Sequence, residues 1–492
     1  MRISLIWPPA CTVYQTLPLS LGLLYSSIRD QGHTVRLFNL PLEGWRADSP
    51  EFARAIADFA PDLIGATAWP MAFPSAVAAV RTAKARAPHA TCVVGGNYAT
   101  LNPEQAWKSG VFDYVVTGEA ERTFPEFVRL LGAGDRAGLA QLPGMYFHRA
   151  DGTVVRNRNV FHDDLDASGA VDYDFIELDR ALRRGYMRTI LGPRRKVAMF
   201  ATRGCEYACH FCTAPLMNGT RLRHYSVAYL TREIRTVYER HGVRMITFMD
   251  DNATQDVPFF KDLCRGIIAL GLRDLVIELY RGIRLEHLDE EMLGLMKRAN
   301  FKAVTIAPES GAERVRQLMH KDMRTEDIVR AARLVKGAGL WLQGYFILGY
   351  PGETAAERRA TYRMIHELDF DSVELHKYMA LPGTANFLKL AKEGRLDRAH
   401  TDEAHINGDA LPNYNGDGDA VDRELFVEYT RFFLRKPRRV RPLLHLVSTG
   451  GMWRTFRGVT RQAAHAIVPD AWRTPPLAAR TPALGPSGDA LS

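Results

Sequence analysis

The sequence is most informative at first through what it lacks. No apolar run in its 492 residues approaches the roughly 20 that a membrane-spanning helix needs, so a helical membrane protein is excluded. The opening, Met1-Arg2-Ile3-Ser4-Leu5-Ile6-Trp7-Pro8-Pro9, has a short apolar run broken by two prolines. It reads as a first strand and its loop, not as a signal peptide, and a cytoplasmic location is expected. No Gly-x-Gly-x-x-Gly follows that strand, which disfavours a nicotinamide or flavin dinucleotide. Acids are nearly missing from one region: between Arg431 and Arg473 only Asp470 is acidic, against a whole-chain net charge of +8. Cysteine is scarce too, at six residues, of which Cys11, Cys92 and Cys264 lie far apart.

The other three fall within eight residues, Cys205-Glu206-Tyr207-Ala208-Cys209-His210-Phe211-Cys212. A loop with this spacing can turn three thiolates onto one small centre, and thiolate sulfur favours soft metals and iron–sulfur clusters. A structural zinc usually takes four ligands. His210 is a candidate fourth, but it sits inside the loop and no second Cys-x-x-Cys pair follows. A [4Fe–4S] cluster held by three cysteines leaves one iron open to a substrate or cofactor, and reduced intracellular thiols suit it.

Residues 1 to about 140 alternate short apolar runs (3–7, 34–38, 63–67, 92–95 and 114–117) with helical patterns. This predicts a Rossmann-like, doubly wound parallel sheet with ligands at the carboxyl ends of its strands. Those ends carry Trp7-Pro8-Pro9, Thr67-Ala68-Trp69-Pro70, Gly95-Gly96-Asn97 and Thr117-Gly118-Glu119. Residues 141–194 read as a hairpin turning at Asp151-Gly152, followed by an acidic linker. From 195 to about 385, six strand–helix units predict an open, partial (β/α)6 barrel, with catalytic groups at the strand ends. A helical, basic extension covers 386–473, and 474–492, rich in Pro, Ala and Gly, is expected to be disordered.

The cysteine loop and its setting resemble the radical S-adenosylmethionine (SAM) enzymes. The amino-terminal pieces, including Leu17-Pro18-Leu19-Ser20-Leu21-Gly22, Pro61-Asp62-Leu63-Ile64-Gly65 and Val94-Gly95-Gly96, resemble the cobalamin-binding domain that precedes many of them. The resemblance implies that Cys205, Cys209 and Cys212 hold a [4Fe–4S] cluster whose open iron binds SAM. For SAM it implies Phe211 in the cysteine loop, Asp250 and Asp251 where Gly-Gly-Glu is common, Arg284, Glu309 with Ser310, and Gly349 and Pro351 in the turn packed on adenine. Pro308 departs from the usual Gly-x-Glu-Ser-Gly. For cobalamin it implies Pro18, Leu19, Thr67, Trp69, Gly95, Gly96, Asn97, Gly118 and Glu119. The Asp-x-His-x-x-Gly motif whose His ligates cobalt is missing, and Asp30-Gln31-Gly32-His33 has the wrong spacing. Cobalamin is therefore expected without a protein ligand on its cobalt. Trp69 is expected beside its lower face, with core packing as the alternative.

The implied activity is methylation of an unactivated carbon of a small molecule through a 5′-deoxyadenosyl radical and methylcobalamin. An oxidative cyclase or ring-rearranging enzyme would share every motif, and a non-enzymatic cobalamin sensor would not need the SAM residues. A methylthiotransferase would need its own amino-terminal cysteine cluster, and only Cys11 and Cys92 lie there. The implied partners are the substrate and an electron donor such as flavodoxin or ferredoxin, with no nucleic acid. In residues 435–441 five of seven are basic, which suits either a membrane surface or docking on the barrel. The Asp- and Gly-rich stretch 407–419 lacks the EF-hand ligand order and reads as a turn.

Overall fold

Strand β1 (Arg2–Trp7) shows how the first sheet is built. Ile3, Leu5 and Trp7 face a core with Leu21, Phe124 and Phe127. Ile6 points the other way, into a second core with Phe38, Phe52 and Val80. A strand buried on both faces belongs in a parallel sheet covered by helices. In the computed structural model, which describes residues 1–10, 16–187, 195–396, 414–415 and 420–435, that is what forms. Strands β2 (Thr34–Asn39), β3 (Leu63–Thr67), β4 (Thr91–Gly95) and β5 (Tyr114–Val116) run parallel to β1. The hairpin β6 (Met145–His148) and β7 (Val154–Arg156) turns at Asp151-Gly152 as expected. It extends the sheet antiparallel along β5, giving the order β2-β1-β3-β4-β5-β6-β7. The free edge of β5 needs hydrogen-bond partners, and Val115 and Val116 find them on Tyr146 and Met145.

The second half supplies six parallel strands. Strands β8 (Lys196–Met199), β11 (Met245–Phe248) and β12 (Val276–Leu279) form one arc. Strands β13 (Ala303–Glu309), β14 (Trp341–Leu348) and β15 (Ser372–Lys377) form the other. Single bridges, Ile277 to Phe301 and Ile283 to Ile306, join the arcs into the expected six-stranded open barrel. Between β8 and β11 a two-stranded antiparallel ribbon, β9 (Thr202–Arg203) and β10 (Arg223–His224), flanks the cysteine loop.

Both halves lie within one compact unit, Met1–Gly416. In the second unit, Asp417–Ser492, helix Ala420–Leu434 is described. The basic run after Arg435, the carboxyl-terminal tail and Cys11 lie outside the described residues, as does the 407–419 stretch apart from Tyr414 and Asn415. No helix among the described residues is long and apolar enough to cross a membrane.

Gly311 closes the turn after β13 against the helix Ala355–Glu367, where a Cβ would lie 2.5 Å from Ala360 O and Thr361 Cα. Gly311→Ala should therefore lower stability by about 1–3 kcal/mol. Gly294, inside helix Glu290–Arg298, meets nothing within 4 Å. Gly294→Ala should be neutral or add up to about 1 kcal/mol. Denaturant unfolding of the two variants checks the contrast, and equal effects would contradict it.

Candidate active site

The cysteine loop has little regular structure, so distant elements hold it. Gly204 has φ +91, and a Cβ there would strike Arg221 O, so only glycine passes this point. Cys205 N donates to Gly219 O, His210 N donates to Met319 O, and Asn386 N donates to His210 O. Burial pushes the Cys205 and Cys209 thiols up, with neighbouring negative charges adding to it, and takes Cys212 to about 12. Cys205, Cys209 and Cys212 disfavour one another's ionisation, so thiolates here call for positive charge. Among the described residues, no three His, Cys, Asp or Glu side chains converge on a single metal ion. Three thiols within eight residues are by their chemistry a donor set that an iron–sulfur cluster would accept. The His210 ring stacks on His320 at 4.8 Å and is not a fourth member of the set.

Of the groups expected to hold SAM, the charges of Asp251, Glu309 and Arg284 act on these thiols, and the groups differ in what they do. Asp250 and Asp251 are neighbours with opposite roles. Asp250 is 3% exposed, and its Oδ1 accepts from Ala201 N, Thr202 N and Thr202 Oγ1 at the entrance to the cysteine loop. Its Oδ2 has no partner, and burial raises the carboxyl to about 7. Asp251 instead accepts from Arg281 at 2.5 Å and Asn218 at 2.6 Å, and its charge acts on Cys205 and Cys212. Glu309 has φ +64, a strained backbone for a glutamate, and pairs with Lys321 Nζ at 2.6 Å. Lys321 was not foreseen; its ammonium stabilises the thiolates of Cys205 and Cys209 and lies 5.9 Å from the Phe211 ring. Arg284 lies 3.8 Å over the Tyr207 ring and pairs with Glu286. The Ser310 hydroxyl is engaged by Thr361 and Ala312 N, so its visible work is inside the turn. Gly349, at φ +76, donates to Glu353 at 2.6 Å and opens the turn that contains Pro351.

A cavity of about 370 Å3 lies at the carboxyl ends of the first sheet. Thr67, Trp69, Gly95, Gly96, Asn97, Gly118 and Glu119 line it. Pro18 and Leu19 do not: they start the helix Leu19–Ile28, and its next residues Ser20, Leu21 and Leu24 face the cavity instead. Gly96 (φ +93) and Gly118 (φ +73) line this cavity as a glycine cradle, with backbones that admit no side chain, since a Cβ would lie 2.7 Å from Ala68 O and from Asn159 Cγ respectively. Trp69 lines the cavity and packs on Trp7 at 4.5 Å. The far wall was not foreseen. Phe200, Arg203, Met217 and Asn218, which bracket the cysteine loop, line the same cavity. Glu119 turns its carboxylate to Arg223 at 2.7 and 2.8 Å, and Arg203 reaches Glu121 at 2.7 Å. The cavity's glycines, indoles and aliphatic side chains suit contact with a large, largely apolar ring, and the described lining residues include no histidine.

The B12 binding domain family matches residues 10–128, and the Radical SAM superfamily matches residues 199–365. An uncharacterized methyltransferase of Pyrococcus horikoshii is 27% identical over 78% of this chain and 82% of its own. An anaerobic magnesium-protoporphyrin IX monomethyl ester cyclase of Rubrivivax gelatinosus is 25% identical over 87% of this chain and 74% of its own. The structure of the radical S-adenosylmethionine methyltransferase TsrM from Kitasatospora setae, with cobalamin and a [4Fe-4S] cluster bound, shares the fold. Its TM-score is 0.65 at 18% identity, covering 80% of this chain and 78% of TsrM.

A raised carboxyl destabilises the fold as it ionises. Asp250 should make stability fall as pH rises from about 4 to 7, because the folded state holds the proton more tightly than the unfolded chain. Asp250→Asn keeps an acceptor for the three donors and cannot ionise. The protein without ligands should then be more stable than wild type at pH 8, by about 1 kcal/mol or more, with the gap closing toward pH 5. Thermal unfolding across that range checks it, and a gap independent of pH would contradict it.

Proposed function

Because the chain belongs to the radical SAM enzymes that carry an amino-terminal B12-binding domain, we propose that it methylates an unactivated carbon of a small-molecule substrate. When bound, the cluster supplies the electron that splits SAM, and cobalamin carries the methyl group. The observation that carries the reading is the shared wall: the residues bracketing Cys205–Cys212 line the same cavity as the glycine cradle. Substrate held at that wall lies between the two cofactors.

The chain's own groups have the matching chemistry. Cys205, Cys209 and Cys212 hold the cluster. SAM ends in an ammonium and a carboxylate. Asp251 has the sign to take the first and Lys321 the second, each already near the thiols. Glu309 and Arg284 bound the same space, and the 349–354 turn offers backbone to a flat base. Phe200 and the indoles of Trp7 and Trp69 contribute apolar surface to the cavity. An electron carrier of the flavodoxin or ferredoxin kind supplies the reducing electron, and the enzyme works in the cytoplasm.

Reconstituted without oxygen, the protein should hold one four-iron cluster. Cys205→Ala, Cys209→Ala and Cys212→Ala should each remove it, and Cys92→Ala and Cys264→Ala should not. Iron analysis decides this, and full iron in Cys209→Ala would sink the assignment.

The similarity to a cyclase favours a second reading, oxidation or ring formation on the same cofactors. The two differ in how SAM is consumed. A methyltransferase uses one SAM to make the radical and another to recharge cobalamin, so 5′-deoxyadenosine and S-adenosylhomocysteine should accumulate in roughly equal amounts. Chromatography of turnover mixtures reads the ratio, and deoxyadenosine alone would transfer the assignment to the cyclase.

A further inference from the structure

Arg203 and Arg223 are direct partners in the β9–β10 ribbon, so two guanidiniums stand opposite each other beside the cysteine loop. Like charges placed so destabilise a strand pair, and a ribbon this short does not hold by itself. Both side chains are nearly buried, at 13% and 2% exposure. Two carboxylates from the loop after β5 balance them. Arg223 forms a two-pronged pair with Glu119, at 2.8 and 2.7 Å. Arg203 lies 2.7 Å from Glu121 and 3.5 Å from Glu119. Arg223 also donates to His162 O and Asn218 O, and Arg203 to Tyr225 OH.

The network touches both cofactor sites. On one side Gly118, Glu119, Ala120, Glu121 and Arg203 all line the cavity. On the other, Arg203 is two residues from Cys205, with only Gly204 between them. The ion pairs tie the loop after β5 to the ribbon, and the ribbon leads directly into the first cysteine.

We propose that Arg203 and Arg223, held by Glu119 and Glu121, are positioning residues that couple filling of the cavity by a corrin to ordering of the cluster loop. The proposal rests on the reading of the cavity and cysteines given above. Coupling of this kind is reciprocal: the factor by which cluster assembly tightens corrin binding is the factor by which corrin tightens the cluster.

The experiment measures hydroxocobalamin affinity by absorbance titration, with the cluster reconstituted and in the cluster-free Cys209→Ala background. The ratio of the two dissociation constants is the coupling. In otherwise wild-type protein it should be about 5- to 100-fold. Glu121→Gln, which keeps the shape and loses the charge, should bring the ratio toward one while iron content stays at four per chain. The exchanged pair Arg203→Glu with Glu121→Arg should restore much of it. Arg203→Lys, which keeps the charge and loses the fork, should give an intermediate ratio and serves if Glu121→Gln fails to fold. A purely structural role would lower the thermal midpoint of Glu121→Gln and leave the ratio as in wild type, and that result overturns the proposal. A ratio of one in wild type, with iron and corrin both bound, overturns the coupling alone. Wild type that takes up neither iron nor hydroxocobalamin overturns the underlying reading and the coupling with it.

Discussion

Crowded, buried charge is the constraint from which the rest of this structure follows. Three thiols share a loop too short to bury itself, two guanidiniums face each other across its entrance, and an ammonium stands at its exit. The three cations are not stable in such a place without an opposite charge. Their compensation comes from elsewhere in the chain: Glu119 and Glu121 from the first sheet for the guanidiniums, and Glu309 from the end of β13 for the ammonium. A hydrophobic core tolerates small displacements of its members, but a desolvated ion pair loses far more when its partner recedes. The loop is thus located by electrostatics at several points and by backbone hydrogen bonds at Gly219, Met319 and Asn386.

Much of this was legible from residue order alone. The strands of both halves announce themselves as short apolar runs, because parallel strands buried on both faces need no polar alternation. The cysteine spacing and the Gly95-Gly96 and Gly118 turns were visible because they are local: the chemistry and the conformation lie in adjacent residues. The hairpin's turn was visible for the same reason, at Asp151-Gly152. Its place in the first sheet was not, because which edge a hairpin joins depends on the unpaired groups of a strand almost thirty residues earlier, as the Val116–Met145 pair shows.

What stayed hidden is consistently long-range. Arg203 and Arg223 look like two more basic residues in a basic chain until their register is known, and their carboxylates lie over eighty residues away in sequence. Lys321 follows a short helix with no motif around it, yet its ammonium acts on two cysteines. The adjacent Asp250 and Asp251 could not be told apart by composition. Consecutive residues leaving a strand point in different directions, so one side chain turns back to brace Ala201 and Thr202 while the other turns toward the thiols.

The ion pairs around the thiols also bear on how a zwitterion such as the end of SAM would bind. Lys321–Glu309 and Asp251–Arg281 are already closed in the structure. A ligand with an ammonium and a carboxylate must exchange partners with them, so its affinity is the difference between new pairs and old ones, not the sum of the new. That difference favours the ligand most where the old pair is costly to keep. Glu309 meets this condition, because its backbone is held at φ +64 next to Ser310, whose carbonyl is fixed by the fully buried Arg316 at 2.7 Å. The buried arginine thus helps hold the strained turn that carries the Glu309 carboxylate.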